Sequence, residues 1–433
     1  MKLTSSVFDR QIFHSAKAGK VTWLWQDLLW VGILALVAGL ISFGLAQSIA
    51  PMLFENPSWD VWFESDLPRS FANTIARSSN HYRTSVHPIF SLIAFPPTYI
   101  LYQLLGDAVT AVRIVIALVA SIWISILFYL LRLFGCRRLE AILFSLIGIF
   151  SAAAIFWFSV PETYSFGSVS LLLPLVVVAI GEYRQLSPWW YLLVSALSLS
   201  ITTTNWMAGI LATWVNNHWK QALQITVNTF CFVVGLWFLQ YLIFPSSEFF
   251  LKIQSEKNYV FNEGSVSPWN VIQSFIAHTM VMPAIEIIDK TARPGFATPG
   301  IQMVTQLSLP GSASLWGKVA VILWAALLGL GIWGFFSMRQ HPKLRLVLGL
   351  TILGQLVLHL LYGEETFLYS LHFAPLLVIL ASCSTLTRAR PLALVLASLL
   401  LVCIGINNVS EFNRATERIN ERDRQAITLP APS

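Results

Sequence analysis

The 433-residue sequence is 56% hydrophobic and only 11% charged, against roughly a quarter charged in soluble domains, and its mean hydropathy is +0.68. That composition excludes an aqueous globular enzyme, and 17 Trp with 29 Phe suit a chain that meets lipid at two aromatic interfaces. The net charge of +6 sits mostly in short loops between apolar runs, a pattern of membrane topology and not of nucleic-acid binding. The expected fold class is all-α, a polytopic bundle of transmembrane helices in a lipid bilayer.

In chain order, the basic stretch ahead of Leu28 begins like a signal peptide. The apolar run after it is over 20 residues long and offers no small-residue cleavage site, so it reads as a retained helix. A crossing needs about 20 apolar residues. Candidate spans fall at 29–50, 111–131, 139–158, 166–181, 221–244, 317–337, 344–361, 366–386 and 391–406. The stretch 189–218 is interrupted by Thr202-Thr203-Thr204-Asn205 and is either one long helix or two short ones meeting at a polar break. The stretch 88–105 carries Pro88, Pro96 and Pro97. Tandem prolines remove backbone donors that lipid cannot replace, so a broken juxtamembrane helix is expected there.

Lys2, Arg10, Lys17 and Lys20 precede the first span and place the N-terminus in the cytoplasm by the positive-inside rule. Let 88–105 lie at the outer surface and 189–218 count as two crossings. Arg132, Arg137, Arg138, Arg184, Lys220, the cluster Arg339, His341, Lys343, Arg345, and Arg388 with Arg390 then all fall inside. The count is about eleven spans in one transmembrane domain over 1–406. It has outer loops at 51–87 and 246–316 and a smaller outer feature at Gly363-Glu364-Glu365. A polar, mobile tail is expected over 407–433. No internal repeat of fixed period appears, which counts against a symmetric transporter. Cys136, Cys231, Cys383 and Cys403 have unrelated spacings, and the sequence has no Gly-rich phosphate loop and no Cys/His metal spacing. No cofactor and no metal are expected.

Three outer features carry candidate chemistry. The first loop sets Asp60, Glu64, Asp66 and Arg69 among Trp59, Trp62 and Phe63, followed by Arg77, His81, Arg83 and His87-Pro88. A carboxylate in a cleft at headgroup level can act as general base, and nearby cations can hold a phosphate; a solvated loop with charges facing water has the same appearance. On a helical turn Asp60 and Glu64 would share a face, four residues apart. Glu162, in Pro161-Glu162-Thr163-Tyr164, sits at a span end, either as a functional acid or as one favoured by the helix dipole. In Glu364-Glu365-Thr366-Phe367-Leu368-Tyr369-Ser370-Leu371-His372, two acids open a span and Tyr369 and His372 lie one turn apart on a common face. In the second loop, Lys252, Lys257, His278, Glu286, Lys290 and Arg293 accompany an amphipathic 268–290, expected as a helix lying in the interface.

These features in this order resemble the polytopic GT-C glycosyltransferases, the protein mannosyltransferase and aminoarabinose transferase group (glycosyltransferase family 39-like). The resemblance rests on the acidic loop after the first span, His87-Pro88 before an apolar helix, the Leu105-Gly106…Arg113 join, and Pro161-Glu162 at a helix end. It covers roughly 51–185. It implies transfer of a sugar from a polyprenyl-phosphate donor outside the membrane, with an acid of the first loop at the catalytic centre. Carried over by position, that acid is Asp66 or Asp60, with Asp66 preferred because Pro68-Arg69 follows it, and Glu64 nearby. Arg69, Arg83, His87 and His372 would meet the leaving phosphate, and Tyr369, Trp59 and Trp62 would stack on sugar faces. Glu162, Tyr164, Glu364 and Glu365 join them as substrate-binding candidates. The sequence lacks the family's large soluble C-terminal domain, which favours a glycan or lipid-linked acceptor over a protein one. It also lacks the tandem acids of metal-dependent oligosaccharyltransferases. The implied location is a bacterial inner membrane with the site facing the periplasm or exterior. The rival readings are a flippase or transporter of a lipid-linked glycan, which needs charges buried at mid-depth, and a non-catalytic assembly subunit.

Overall fold

The computed structural model describes residues 20–55, 61–252, 260, 267–289 and 301–428. The described chain is mostly helical, and eight of its helices are long and apolar enough to cross a membrane. The protein is therefore an integral, multi-pass membrane protein. The long helices are α1 (Lys20–Gln47), α4 (Ala108–Leu133), α7 (Thr163–Tyr183), α10 (Trp219–Ile243), α12 (Leu315–Ser337) and α13 (Pro342–Leu361), the turn-and-helix Thr366–Leu386 containing α14 (Ser370–Ser382), and α15 (Arg390–Thr428). Shorter helices fill the intervals: α2 (Leu67–Ile75), α3 (Phe90–Leu105), α5 (Arg138–Ile149), α6 (Ala152–Trp157), α8 (Pro188–Ile201), α9 (Trp206–Asn216) and α11 (Pro268–Gln273). One two-stranded antiparallel ribbon, β1 (Glu286–Asp289) with β2 (Ile301–Val304), departs from an all-helical reading.

The bundle has two chemically distinct ends. At the basic end Asp27 of α1 meets Arg132 at 3.3 Å and Arg138 at 2.7 Å. There too, Glu182 bonds the His341 ring at 2.7 Å and the backbone N–H of Lys343 at 2.8 Å, and Arg390 pairs with Glu140. The basic loops that the positive-inside rule groups on one side are thus neighbours. At the opposite, loop-bearing end, Arg113 donates to the Ile49 carbonyl at 2.7 Å and Asn420 to that of Ser48 at 3.2 Å.

Four expectations change. α3 is one continuous 16-residue helix through Pro96 and Pro97 and does not break there. Proline fixes φ at a helical value, so the rings cost two donors without diverting the backbone. The start of α3 is closed from outside by Gln240, whose Oε1 accepts from Leu92 N at 3.0 Å and whose Nε2 donates to the Pro88 carbonyl at 2.6 Å. The span expected at 139–158 is two helices, α5 and α6, parted at Phe150-Ser151. The stretch 268–290 is not an interfacial helix: six residues of α11 lead into a wide turn at Ser274–His278, and the chain is extended by Glu286. His278 in that turn is wholly buried, and burial pushes its pKa down to about 4, so it is no surface cation. The segment 407–433, read as a polar, mobile tail, is helix to Thr428, and Phe412, Ala415 and Ile419 are buried. Its apolar residues recur at helical spacing between charges, which suits one face against protein and another against water.

The stretch 189–218 is two short helices meeting at Thr202–Asn205, of 14 and 11 residues. Each is shorter than a membrane crossing. Counting this hairpin as two crossings or as none leaves every later span on the same side, so the charge-derived topology does not depend on its depth.

Phe412 packs edge-on against Trp62 (ring centroids 6.0 Å apart) and Phe156 (5.3 Å), tying the C-terminal helix to the first loop. Phe412→Ala empties a buried ring site and is expected to destabilise the fold by about 3–5 kcal/mol. Thermal unfolding of the purified variant, read against an exposed substitution such as Arg418→Ala, measures it.

Candidate functional site

The first loop enters the protein through Val61-Trp62-Phe63, all buried. Phe63 and Glu64 both adopt left-handed backbone, φ +48° and +64°, a conformation that side-chain-bearing residues hold only where their surroundings over-determine it. The surroundings here are the Phe63 ring set among Phe156, Trp157 and Phe367, the Met303 N–H donating to the Val61 carbonyl at 2.8 Å, and Ser65 Oγ donating to the Trp62 carbonyl at 2.5 Å. Trp62 is therefore a buried anchor and not a platform for a sugar face. Asp60 and Trp59 lie outside the described residues, as do Lys257, Lys290 and Arg293.

This strained turn delivers Asp66 to the start of α2, whose first turn contains Pro68. Asp66 does not cap its own helix. Its Oδ2 accepts from Arg69 at 2.8 and 3.2 Å and lies 4.0 Å from Arg83 Nε, while its side chain stays 41% exposed. One carboxylate with a face to water therefore stands over two guanidinium groups that are mostly shielded. Below them Glu162 is buried. It accepts from Ser70 Oγ at 2.7 Å and from its neighbour's N–H at 2.6 Å, holding the start of α7. Burial raises its pKa, and the Arg69 charge and these two hydrogen bonds oppose the rise.

His87 sits at the junction of three elements. Its Nδ1 lies 2.8 Å from the Ile201 carbonyl, where α8 ends, so that nitrogen carries the hydrogen. Nε2 is then the acceptor facing Thr163 Oγ1 at 3.3 Å. Burial, with the Arg83 charge second, holds the His87 pKa well below the usual imidazole range. His87 is thus a neutral joint, and a cationic contact for phosphate is left to Arg69 and Arg83.

Arg83 and His87 also line a cavity of about 390 Å³ between the α8–α9 break, α10, the end of α13 and the start of α14. Tyr164, Tyr369 and His372 form its aromatic wall, with Tyr164 edge-on to Tyr369 and to His372 at 5.5 Å each. Gly167 makes room for the imidazole: a Cβ there would sit 2.3 Å from His372 Nε2. The structure thus gathers Asp66, Arg69, Arg83, His87, Glu162, Tyr164, Tyr369 and His372 at one end. It also brings in Gln355 and His359 of α13, which sequence reasoning passed over; His359 lies flat against Tyr369 at 4.6 Å. A histidine within the apolar run Leu356-Val357-Leu358-His359 was the available signal.

The remaining carboxylates form a second focus. Glu364 is exposed. Glu365 is buried, and accepts from Thr305 N and Oγ1 at 2.8 Å each and from Gln306 N at 3.1 Å, so it fastens the end of β2 to the chain entering α14. The Glu64 charge reaches Glu365. Burial first, and the Glu64 charge as well, push the Glu365 pKa up to about 7 against the Thr305 and Gln306 bonds. No group of three or more metal-ligating side chains occurs among the described residues. No family model, curated protein or solved structure matches the chain.

The Glu365 pKa, raised in the fold, makes the native state hold more protons than the unfolded chain between about pH 4.5 and about 7. Its contribution to stability is therefore full below that window and falls as pH rises through it. Glu365→Gln should flatten this part of the stability profile, checked by melting temperatures of both proteins across pH 4 to 8.

Proposed function

We propose that the protein is a membrane glycosyltransferase of GT-C type, moving a sugar from a polyprenyl-phosphate donor to a glycan, lipid or protein acceptor outside the membrane. The observation that carries the reading is the sharing of Arg83. It lies 4.0 Å from the water-facing Asp66 carboxylate and lines the cavity roofed by the first loop. A base open to the acceptor, cations for a phosphate and an enclosed volume for the transferred group thus meet at one side chain.

In this mechanism the acceptor hydroxyl loses its proton to Asp66 as its oxygen bonds to the anomeric carbon from the face opposite the phosphate. The bond from that carbon to the phosphate oxygen breaks, and its electron pair leaves with the polyprenyl phosphate. The added negative charge meets Arg69 and Arg83, already oriented by Asp66 and shielded from water, where a fixed cation acts most strongly. Phosphate arrival also draws these guanidinium groups from Asp66 and frees that carboxylate for the incoming proton. The single displacement inverts the anomeric centre. Glu162, tied down by Ser70 and the α7 backbone, keeps Ser70 and α2 in register. The prenyl chain lies along the apolar helix surfaces outside the cavity.

The same reading takes the loop-bearing end as extracytoplasmic, in a bacterial inner membrane. It counts about eleven crossings: the eight long helices, the broken α5–α6 passage and the α8–α9 hairpin counted as two. Charges concentrated at the ends of the bundle favour surface chemistry over a transport path at mid-depth.

Asp66→Asn should lower transfer by about 10²–10⁴-fold, the usual weight of a positioned base, while still binding donor. Native mass spectrometry of wild type and Asp66→Asn released from detergent should find a polyprenyl-phosphate sugar on both. Full transfer by the folded Asn variant would sink the assignment, and a co-purifying whole lipid-linked oligosaccharide would favour a flippase.

A further inference from the structure

We infer that the cavity selects an uncharged polyhydroxylated ring, so that the sugar transferred is a neutral one and neither a uronic acid nor an amino sugar. The argument starts from hydrogen bonds the protein leaves unmade. Gln355 Oε1, Ser85 Oγ and one imidazole nitrogen of His359 are buried and find no partner among the described residues, the other His359 nitrogen being turned to the Tyr362 backbone. All three residues line this one cavity. A buried polar atom without a partner is costly, so a cluster of them around a single void marks where a ligand supplies the missing bonds. The Gln355 amide nitrogen is already directed to Asn205 Oδ1 at 3.4 Å, which turns its oxygen to the remaining role of acceptor.

The chemistry of this lining is that of alcohols. An imidazole nitrogen, an amide oxygen and a serine hydroxyl match groups that both donate and accept, and the Tyr369 ring beside His359 offers a flat apolar wall for a ring's C–H face. Charge is matched only at the mouth. Among the described residues no carboxylate lines the cavity, so an ammonium group would enter without a counter-charge. Glu162 and Glu365, the nearest buried acids, are occupied by Ser70 and by Thr305 with Gln306. Among the described residues the one lining arginine or lysine is Arg83, shared with Asp66 and, on the proposed function, engaged by the donor's phosphate. A sugar carboxylate would compete for that guanidinium and displace the leaving group from it. The volume of about 390 Å³ lies within the roughly 300–1,000 Å³ typical of small-ligand sites.

The inference uses the glycosyltransferase reading only to place phosphate at Arg83, and the test separates the two. Full-length protein in a detergent without a sugar headgroup is titrated with methyl mannoside, methyl glucuronide and methyl glucosaminide, and binding is followed by saturation-transfer NMR. The neutral glycoside should bind at least about tenfold more tightly than either charged one. It should weaken by about tenfold, the worth of one hydrogen bond to a buried group, in His359→Phe and separately in Gln355→Leu. The two side chains lie one turn apart on one face of α13, and the melting temperature of each variant reports its folding. Equal or tighter binding of a charged glycoside overturns the inference, as does neutral binding unchanged in both folded variants. Prenyl phosphate without sugar, assayed by thermal shift on wild type and Arg83→Gln, tests the donor reading alone. Its failure to bind would remove that reading and leave the glycoside result standing.

Discussion

A helix that stops inside a protein leaves carbonyls and N–H groups with no water to meet them, and this fold contains several such buried ends. Amide and imidazole side chains from neighbouring helices close them. Asn408 accepts from Met282 N at 2.8 Å and donates to the Phe150 and Met280 carbonyls, spanning the gap between α5 and α6 and the turn after α11. Asn407 takes the Met282 carbonyl. Gln240 closes the start of α3, and His87 the end of α8. Asn205, in the polar break, donates to the Gly167 carbonyl at 3.0 Å. Asn408, Asn407, Gln240 and His87 stand in for missing rungs of backbone bonding, while Asn205 ties the break to the side of α7, and without such partners the short helices would not be tolerated away from water.

The cavity follows from this. A full-length helix through the position of α8 or α9 would fill the space with its own backbone and side chains. Two half-length helices instead leave a void beneath the first loop, walled by the polar residues of the break and by α13 and α14. Solvent-facing charge stays above, at Asp66, and hydrogen-bonding but uncharged groups lie below. His87 touches both layers: its ring closes a helix end on one side and faces Thr163, at the head of α7, on the other.

Long apolar runs and the placement of basic residues are local or one-dimensional signals, which is why the eight long helices, the grouping of Arg132, Arg138 and Arg390 at one end, and the polar break at Thr202–Asn205 were legible in the sequence. The clustering of Asp66, Glu162 and Tyr369 followed from the same alternation of ends. The errors came where a tertiary partner decides. Tandem prolines in α3 read as a break because the rule counts the two lost donors and overlooks that proline's fixed φ is itself helical. The stretch after Asn407 read as a loose tail because it is polar, mixed in charge and ends in prolines, while Phe412 has its receptor at Trp62 and Phe156 on distant segments. Trp62 looked like an exposed aromatic of a surface loop for the same reason. His359 and Gln355 stood out too little, each being a single polar residue in an apolar span.

The bond between the first loop and the last helix has a consequence for biosynthesis. Trp62 emerges from the ribosome about 350 residues before Phe412, an interval of about 20 to 70 seconds at roughly 5–20 residues per second. During it Trp62 and Phe156 lack the Phe412 ring that packs against both. The first loop therefore gains its last support only when the final helix has been made, and a ribosome stalled near the end leaves a bundle whose aromatic seat is half empty.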